Sequence, residues 1–195
     1  MTHHQRLLFR KWLRTLHIYL SMLGLLTLIF FSLTGIMLNH EEWFGFAEPR
    51  VRKTEGVIPA ALLAEPDKLG IVEKLRRDFG ATGALESFDV QGDRLEIIFK
   101  SPGRRTQVAI ERPGGQTEAT IETHGFAGRF AELHRGTDAG PGWRLVIDAS
   151  AVLLLISGLT GLTLWLLVPK WRPLGLVAVA VSGGICLLIY FALVP

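Results

Sequence analysis

Three stretches of the chain are apolar over lengths that the core of a soluble domain does not use. Residues 16–38 carry His17 and a few Ser, Thr and Gly among otherwise apolar side chains. Residues 145–168 hold Asp148 near their start, and residues 174–194 form the third run. At about 1.5 Å of helix per residue, each reaches across about 30 Å of hydrocarbon, so three transmembrane helices are predicted. Pro169 and Pro173 bracket Lys170, Trp171 and Arg172, which makes the second and third spans a tight helical hairpin. The first span reads as a retained anchor: its apolar run is too long for a signal peptide, and it ends in Leu38-Asn39-His40-Glu41 with no small-x-small cleavage site.

Between the first two spans the periodicity changes. Glu65-Pro66-Asp67 opens a helical pattern with Leu69, Val72, Leu75 and Phe79 at three- and four-residue spacing, and Gly80 stops it. Four strand-like runs follow, at residues 85–90, 95–100, 106–111 and 116–123, separated by turns rich in Gly, Asp and Pro. This predicts a small α+β domain, one helix against an antiparallel meander. From Gly125 to Arg135 the spacing is helical again: Phe126, Phe130 and Leu133 share a face, with Arg129, Glu132 and Arg135 around it. Such a helix suits an outer membrane surface.

Composition agrees with a membrane class, since 49% of residues are hydrophobic. The net charge of +3 is small, and the basic residues sit in short clusters beside apolar runs rather than in a stripe, which argues against nucleic-acid binding. Arg6, Arg10, Lys11 and Arg14 precede the first span, and Lys170 and Arg172 lie between the second and third; by the positive-inside rule both flanks are cytoplasmic. The predicted division is a basic cytoplasmic N-terminus (1–15), a first helix (16–40), a periplasmic domain (41–142), a second helix (143–168), a cytoplasmic loop (169–173) and a third helix (174–195) in a bacterial inner membrane. Trp12, Trp43, Trp143, Trp165 and Trp171 all fall near predicted interfaces. The single cysteine, Cys186, excludes an internal disulfide framework, a CxxC pair and a cysteine zinc site.

Polar side chains within the spans are the candidates for chemistry. The first span carries a stripe of His17, Ser21, Gly24, Leu28, Ser32, Gly35 and Asn39; the second offers Ser150, Ser157 and Gly161, with Gly158 beside them. Small residues at this spacing admit a close neighbouring helix, in the same chain or in a second copy. His17 and His40 lie at opposite ends of the first span, separated by about 35 Å of helix, so they cannot share one metal or haem. His134 should lie at the level of His40 and could approach it if the amphipathic helix packs on the end of the first span, as a bis-His haem pair would require. His17 has no histidine at its own level, so a haem there needs a non-His ligand or a second subunit. Interfacial histidines also serve simply as hydrogen-bonding groups, and both readings stay open. Asp148 is expected to cap or orient a neighbour, a histidine or Arg144; His124 ends a strand, and His3 and His4 belong to a flexible basic tail. There is no Ser-His-Asp pattern, HExxH, P-loop or GxGxxG.

Lys11-Trp12-Leu13-Arg14-Thr15-Leu16-His17 opening the first span and Leu33-Thr34-Gly35-Ile36-Met37-Leu38-Asn39-His40 closing it resemble the PepSY-associated transmembrane family. So do Leu133-His134-Arg135-Gly136 and the run from Ser157 to Trp165, and the segment between is similar to a PepSY domain. The resemblance implies a membrane protein with an extracytoplasmic PepSY domain. Some larger relatives are haem-binding reductases that pass electrons to ferric siderophores, with haems carried by histidines at helix ends; His17, His40 and His134 match such positions. It thus implies haem b and a role in electron transfer and iron acquisition. With three spans and no cytoplasmic flavin or nicotinamide domain, the chain would be an electron conduit fed by quinol or a partner. PepSY domains elsewhere are linked to peptidase inhibition and envelope binding, so the second implied reading is a non-enzymatic module acting on an envelope protein.

Overall fold

The computed structural model describes residues 2–44, 49–64 and 67–195. Its elements are α1 (His3–Asn39), β1 (Arg50–Val57), α2 (Ala61–Ala64), α3 (Lys68–Asp78), β2 (Ala84–Gln91), β3 (Arg94–Ser101), β4 (Arg104–Glu111), β5 (Gln116–Thr123), α4 (Gly125–Arg135), α5 (Gly140–Leu166) and α6 (Arg172–Leu193). They divide into two compact units, one of residues 1–28 with 148–195, the other of residues 29–147.

The first unit is helical, and α1, α5 and α6 are each long and apolar enough to cross a membrane. The segment before residue 16, expected as a flexible tail, instead continues the helix back to His3, giving α1 37 residues and a length of about 55 Å. The cause is local. Thr2 N–H donates to Gln5 Oε1 at 2.8 Å and Gln5 N–H donates to Thr2 Oγ1 at 3.4 Å, a reciprocal cap, and no Gly or Pro interrupts the turns that follow. The α5–α6 hairpin forms as expected. Pro169–Trp171 is a single 3-10 turn, Trp165 Nε1 donates to Trp171 O at 3.2 Å, and a Cβ on Gly175 would collide with the Trp165 ring. In α6, apolar residues such as Leu188 and Phe191 are exposed all round, as lipid contact requires.

The second unit holds a five-stranded antiparallel sheet in the order β1-β5-β4-β3-β2. The four expected strands appear within two residues of their expected ends. β1 was not expected: it pairs along its whole length with β5, from Arg50 opposite Thr123 to Val57 opposite Gln116. Its sequence lacks apolar alternation because its inner face shows only Arg52, Thr54 and Gly56. Helix α3 supplies the missing bulk, since the Phe79 ring lies where a Cβ on Gly56 would be, 2.7 Å away. Ile71, Val72 and Leu75 of α3 cover Leu95, Ile97, Phe99, Val108 and Ile110 in one core. Asp67 caps α3, accepting from Gly70 N–H at 3.1 Å; Glu65 and Pro66 of the expected start lie outside the described residues.

Helix α4 forms where expected and joins the sheet to the C-terminal part of α1. Gly103, at φ 73°, occupies the β3–β4 turn with no room for a side chain, because a Cβ there would lie 2.9 Å from that of Arg129. The Gly103 N–H donates to the Glu132 carboxylate. On the other side of α4, Phe130 packs against Phe30 with ring centroids 5.7 Å apart. Phe126, one turn earlier, meets the Phe130 ring at 4.3 Å and stays 76% exposed. Helix α5 starts at Gly140 rather than residue 143, with Pro141 in its first turn, where a missing N–H costs nothing.

Candidate functional site

Two histidines are held inside helix pairs by the same device. In the first unit, His17 Nδ1 of α1 lies 3.1 Å from Ser157 O and 2.9 Å from Thr160 Oγ1 on α5. Thr160 already donates its hydroxyl proton to Ser157 O at 2.8 Å. A carbonyl oxygen only accepts, and the committed hydroxyl has only lone pairs left, so Nδ1 carries the proton and donates. Nε2 has no hydrogen-bond partner among the described residues. The ring lies over Gly161, whose missing Cβ would sit 3.0 Å from His17 Cε1. One turn further, Ser21 and Ser157 hydroxyls meet at 2.8 Å, and Gly24 admits Leu154. The first part of the small-residue stripe, His17, Ser21 and Gly24, therefore packs against α5, and the polar atoms of His17 and Ser21 find partners there, while Gly35 further along faces His134 of α4.

In the second unit, His134 Nδ1 of α4 lies 2.7 Å from Thr34 Oγ1 of α1, and Thr34 donates to Phe30 O at 2.7 Å. The same proton count makes Nδ1 the donor. Thr34 is 3% exposed, Phe31 meets the imidazole edge-on at 5.3 Å, and Gly35 leaves room for the ring. The Trp143 indole N–H donates to Leu133 O at 2.7 Å, and the left-handed Gly136 ends α4 by returning its N–H to Glu132 and Leu133 carbonyls. Together these fix the turn of helix that carries His134.

His40 is placed differently. It sits in the turn after α1, stacked on Trp43 at 3.9 Å and 7°, with Glu42 3.8 Å from its Nδ1. The contact of His134 with Thr34 is six residues back along α1, about 9 Å in helical rise. Helix α4 thus packs on the end of α1 as the bis-His expectation required, while the two rings make separate contacts. Asp148 is exposed, with no hydrogen bond or ion pair among the described residues. His124 precedes α4 and its backbone N–H donates to Gly103 O. His3 and His4 are exposed in the first turn of α1. Thr34 and Thr160, which orient the two imidazoles, carry no mark of that role in the sequence; only the pairing of helices reveals it.

A family model for PepSY_TM-like proteins matches residues 10–195, nearly the whole chain. The chain belongs to the PepSY_TM-like family. No curated protein and no solved structure matches it. The family membership covers both the helices and the sheet domain, so the His17 and His134 sites lie on elements that the family model spans.

The outer face of the PepSY-like sheet is polar and open. Lys53 pairs with Glu118 and Lys100 with Glu86, each at 2.7 Å. The hydrogen bond to Glu118 holds the Lys53 ammonium above its ordinary value, and the same bond holds the Glu118 carboxyl below its own. A shallow groove of about 740 Å³ runs across the ends of β1, β5 and β4, with Glu55, Glu111 and Glu118 facing Arg94.

Proposed function

We propose that this chain is a haem-bearing electron-transfer component of a bacterial inner membrane, linked to reduction of a ferric chelate in the periplasm. The observation that supports it best is the shared state of His17 and His134. Each imidazole is oriented through Nδ1–H by a threonine whose own proton is committed to a helix carbonyl, which leaves Nε2 unpartnered among the described residues and available to a metal once deprotonated. That is the form in which histidine ligates iron, and the outer hydrogen bond is what fixes tautomer and ring angle at such sites. His17, His40 and His134 are the residues that would hold haem b, each offering one imidazole donor to iron. When bound, haem supplies one-electron transfer. The residues of this chain orient the ligands and exclude water through Phe30, Phe31 and Phe130. Positive flanks at Arg6, Arg10, Lys11, Arg14, Lys170 and Arg172 favour a cytoplasmic N-terminus and a periplasmic sheet domain. The electron donor on this reading is quinol or a partner, and the assembly is a homodimer or a larger membrane complex.

The test is the reduced-minus-oxidised absorption spectrum of the detergent-purified protein, with His17→Ala, His40→Ala and His134→Ala beside it. A b-type spectrum that weakens in these variants supports the reading. A colourless protein after expression with ample haem overturns it. The second reading, a non-enzymatic PepSY module that binds an envelope protein, draws on a different observation: both imidazoles already join helix to helix, and the sheet presents a broad uncovered polar face. A colourless protein that co-purifies with a periplasmic partner supports that reading.

A further inference from the structure

The helical unit of residues 1–28 and 148–195 carries six strong cations, Arg6, Arg10, Lys11, Arg14, Lys170 and Arg172, against one carboxylate side chain, Asp148. Asp148 lies sixteen residues before Leu164 on α5, about 24 Å away along the axis, too far to neutralise charges at the other end in a salt-screened medium. The cations gather where α5 ends. Arg10 and Arg172 donate to the adjacent carbonyls of Leu167 and Leu166, the negative end of the α5 dipole. Lys11 and Arg14 have no hydrogen-bond or ion-pair partner among the described residues.

These charges rim a groove rather than a flat patch. Leu7, Arg10, Lys11 and Arg14 recur at three- and four-residue spacing and so share one face of α1. Across from them Leu164 near the end of α5, with Leu167 and Val168 just beyond it, forms an apolar wall, and the open groove between has a volume of about 430 Å³. Trp165 and Trp171 mark this end of the helices as the level of the headgroups. A cationic rim over an apolar wall at that depth matches one chemistry, an acidic phosphodiester carrying acyl chains.

The geometry points to a binding site for an anionic phospholipid, its headgroup phosphate on Lys11 and Arg14 beside Arg10 and its acyl chain along Leu164 and Leu167. This site is independent of the haem reading, because its readout is lipid retention and not colour. Basic pockets between helices at a membrane surface are where such headgroups are held.

The experiment uses the full chain in detergent and follows its unfolding temperature and the lipid it retains by native mass spectrometry. Titrants are phosphatidylglycerol, phosphatidylcholine and inorganic phosphate. Phosphatidylglycerol should stabilise the protein and stay bound; phosphatidylcholine and inorganic phosphate should do neither. The Lys11→Gln/Arg14→Gln pair should weaken retention by about thirtyfold, as two lost headgroup charges imply. Leu164→Trp, which keeps every charge and fills the groove, should also lose retention and serves if the charge variant fails to insert. The Arg6→Gln/Lys170→Gln pair, outside the groove, should retain lipid. Equal stabilisation by phosphatidylcholine, or by phosphate alone, overturns the proposal. So does equal loss in the Arg6/Lys170 pair, which would mean diffuse attraction rather than a site.

Discussion

Thr34 is the side chain on which the outer histidine depends. It is buried, donates to Phe30 O and accepts from His134, so Thr34→Val leaves one imidazole N–H without a partner. The expected cost is about 1 kcal/mol, read as a lower unfolding temperature in detergent, with Thr34→Ser near wild type. At the inner histidine, Gly161→Val should push the His17 ring off α5, since even a Cβ would stand 3.0 Å from Cε1. Its signature is a lowered unfolding temperature that His17→Ala partly restores, because the clashing ring is gone. On the sheet, the Lys53–Glu118 bridge gives a signed pH dependence. Glu118 is depressed below its ordinary 4.5, so its contribution is present above that value and lost as pH falls through the folded value. Lys53 is raised above 10.5, so its contribution is present below that value and lost as pH rises through the folded value. Melting curves of wild type and Lys53→Met should differ slightly near neutral pH and converge in acid. The difference is small because both groups are solvent-exposed.

At the scale of elements, β1 is the instructive case. The strand has only two apolar side chains, Val51 and Val57, both exposed, so it shows no period-two apolar signal, and it exists because β5 offers it a full register and Phe79 roofs its Gly56. Phe79→Ala should therefore cost about 3–5 kcal/mol, and amide exchange should show β1 opening before β3 and β4. Of the strands that were legible, β2 to β5, the last three place every second side chain in the core with turn residues at their ends, so local pattern and tertiary fate coincide. Helix α4 was legible as amphipathic, but its polar side docks on the β3–β4 turn through Glu132 as well as facing solvent, and no periodicity reports that.

For the whole molecule, topology is the open physical question that charge addresses. Residues 1–40 contain no acidic side chain, and neither do residues 149–195, so nothing offsets Arg10, Lys11, Arg14, Lys170 and Arg172 in orienting the helices. A cysteine placed at Asp93, in the β2–β3 turn, should react with an impermeant maleimide added to intact spheroplasts; protection until lysis would invert the assignment. The sequence by itself determined that the chain has three helices long and apolar enough to cross a membrane and a small α+β domain, because span length and strand alternation are local properties of consecutive residues. It also marked His17, His40 and His134 as polar groups at membrane depth or its edge. Which nitrogen each ring presents, which threonine holds it, and that His134 meets Thr34 while His40 stacks on Trp43 were decided only by tertiary structure. Those facts depend on how helices distant in sequence pair and rotate, and hydrogen bonds across such pairs leave no periodic trace in either partner.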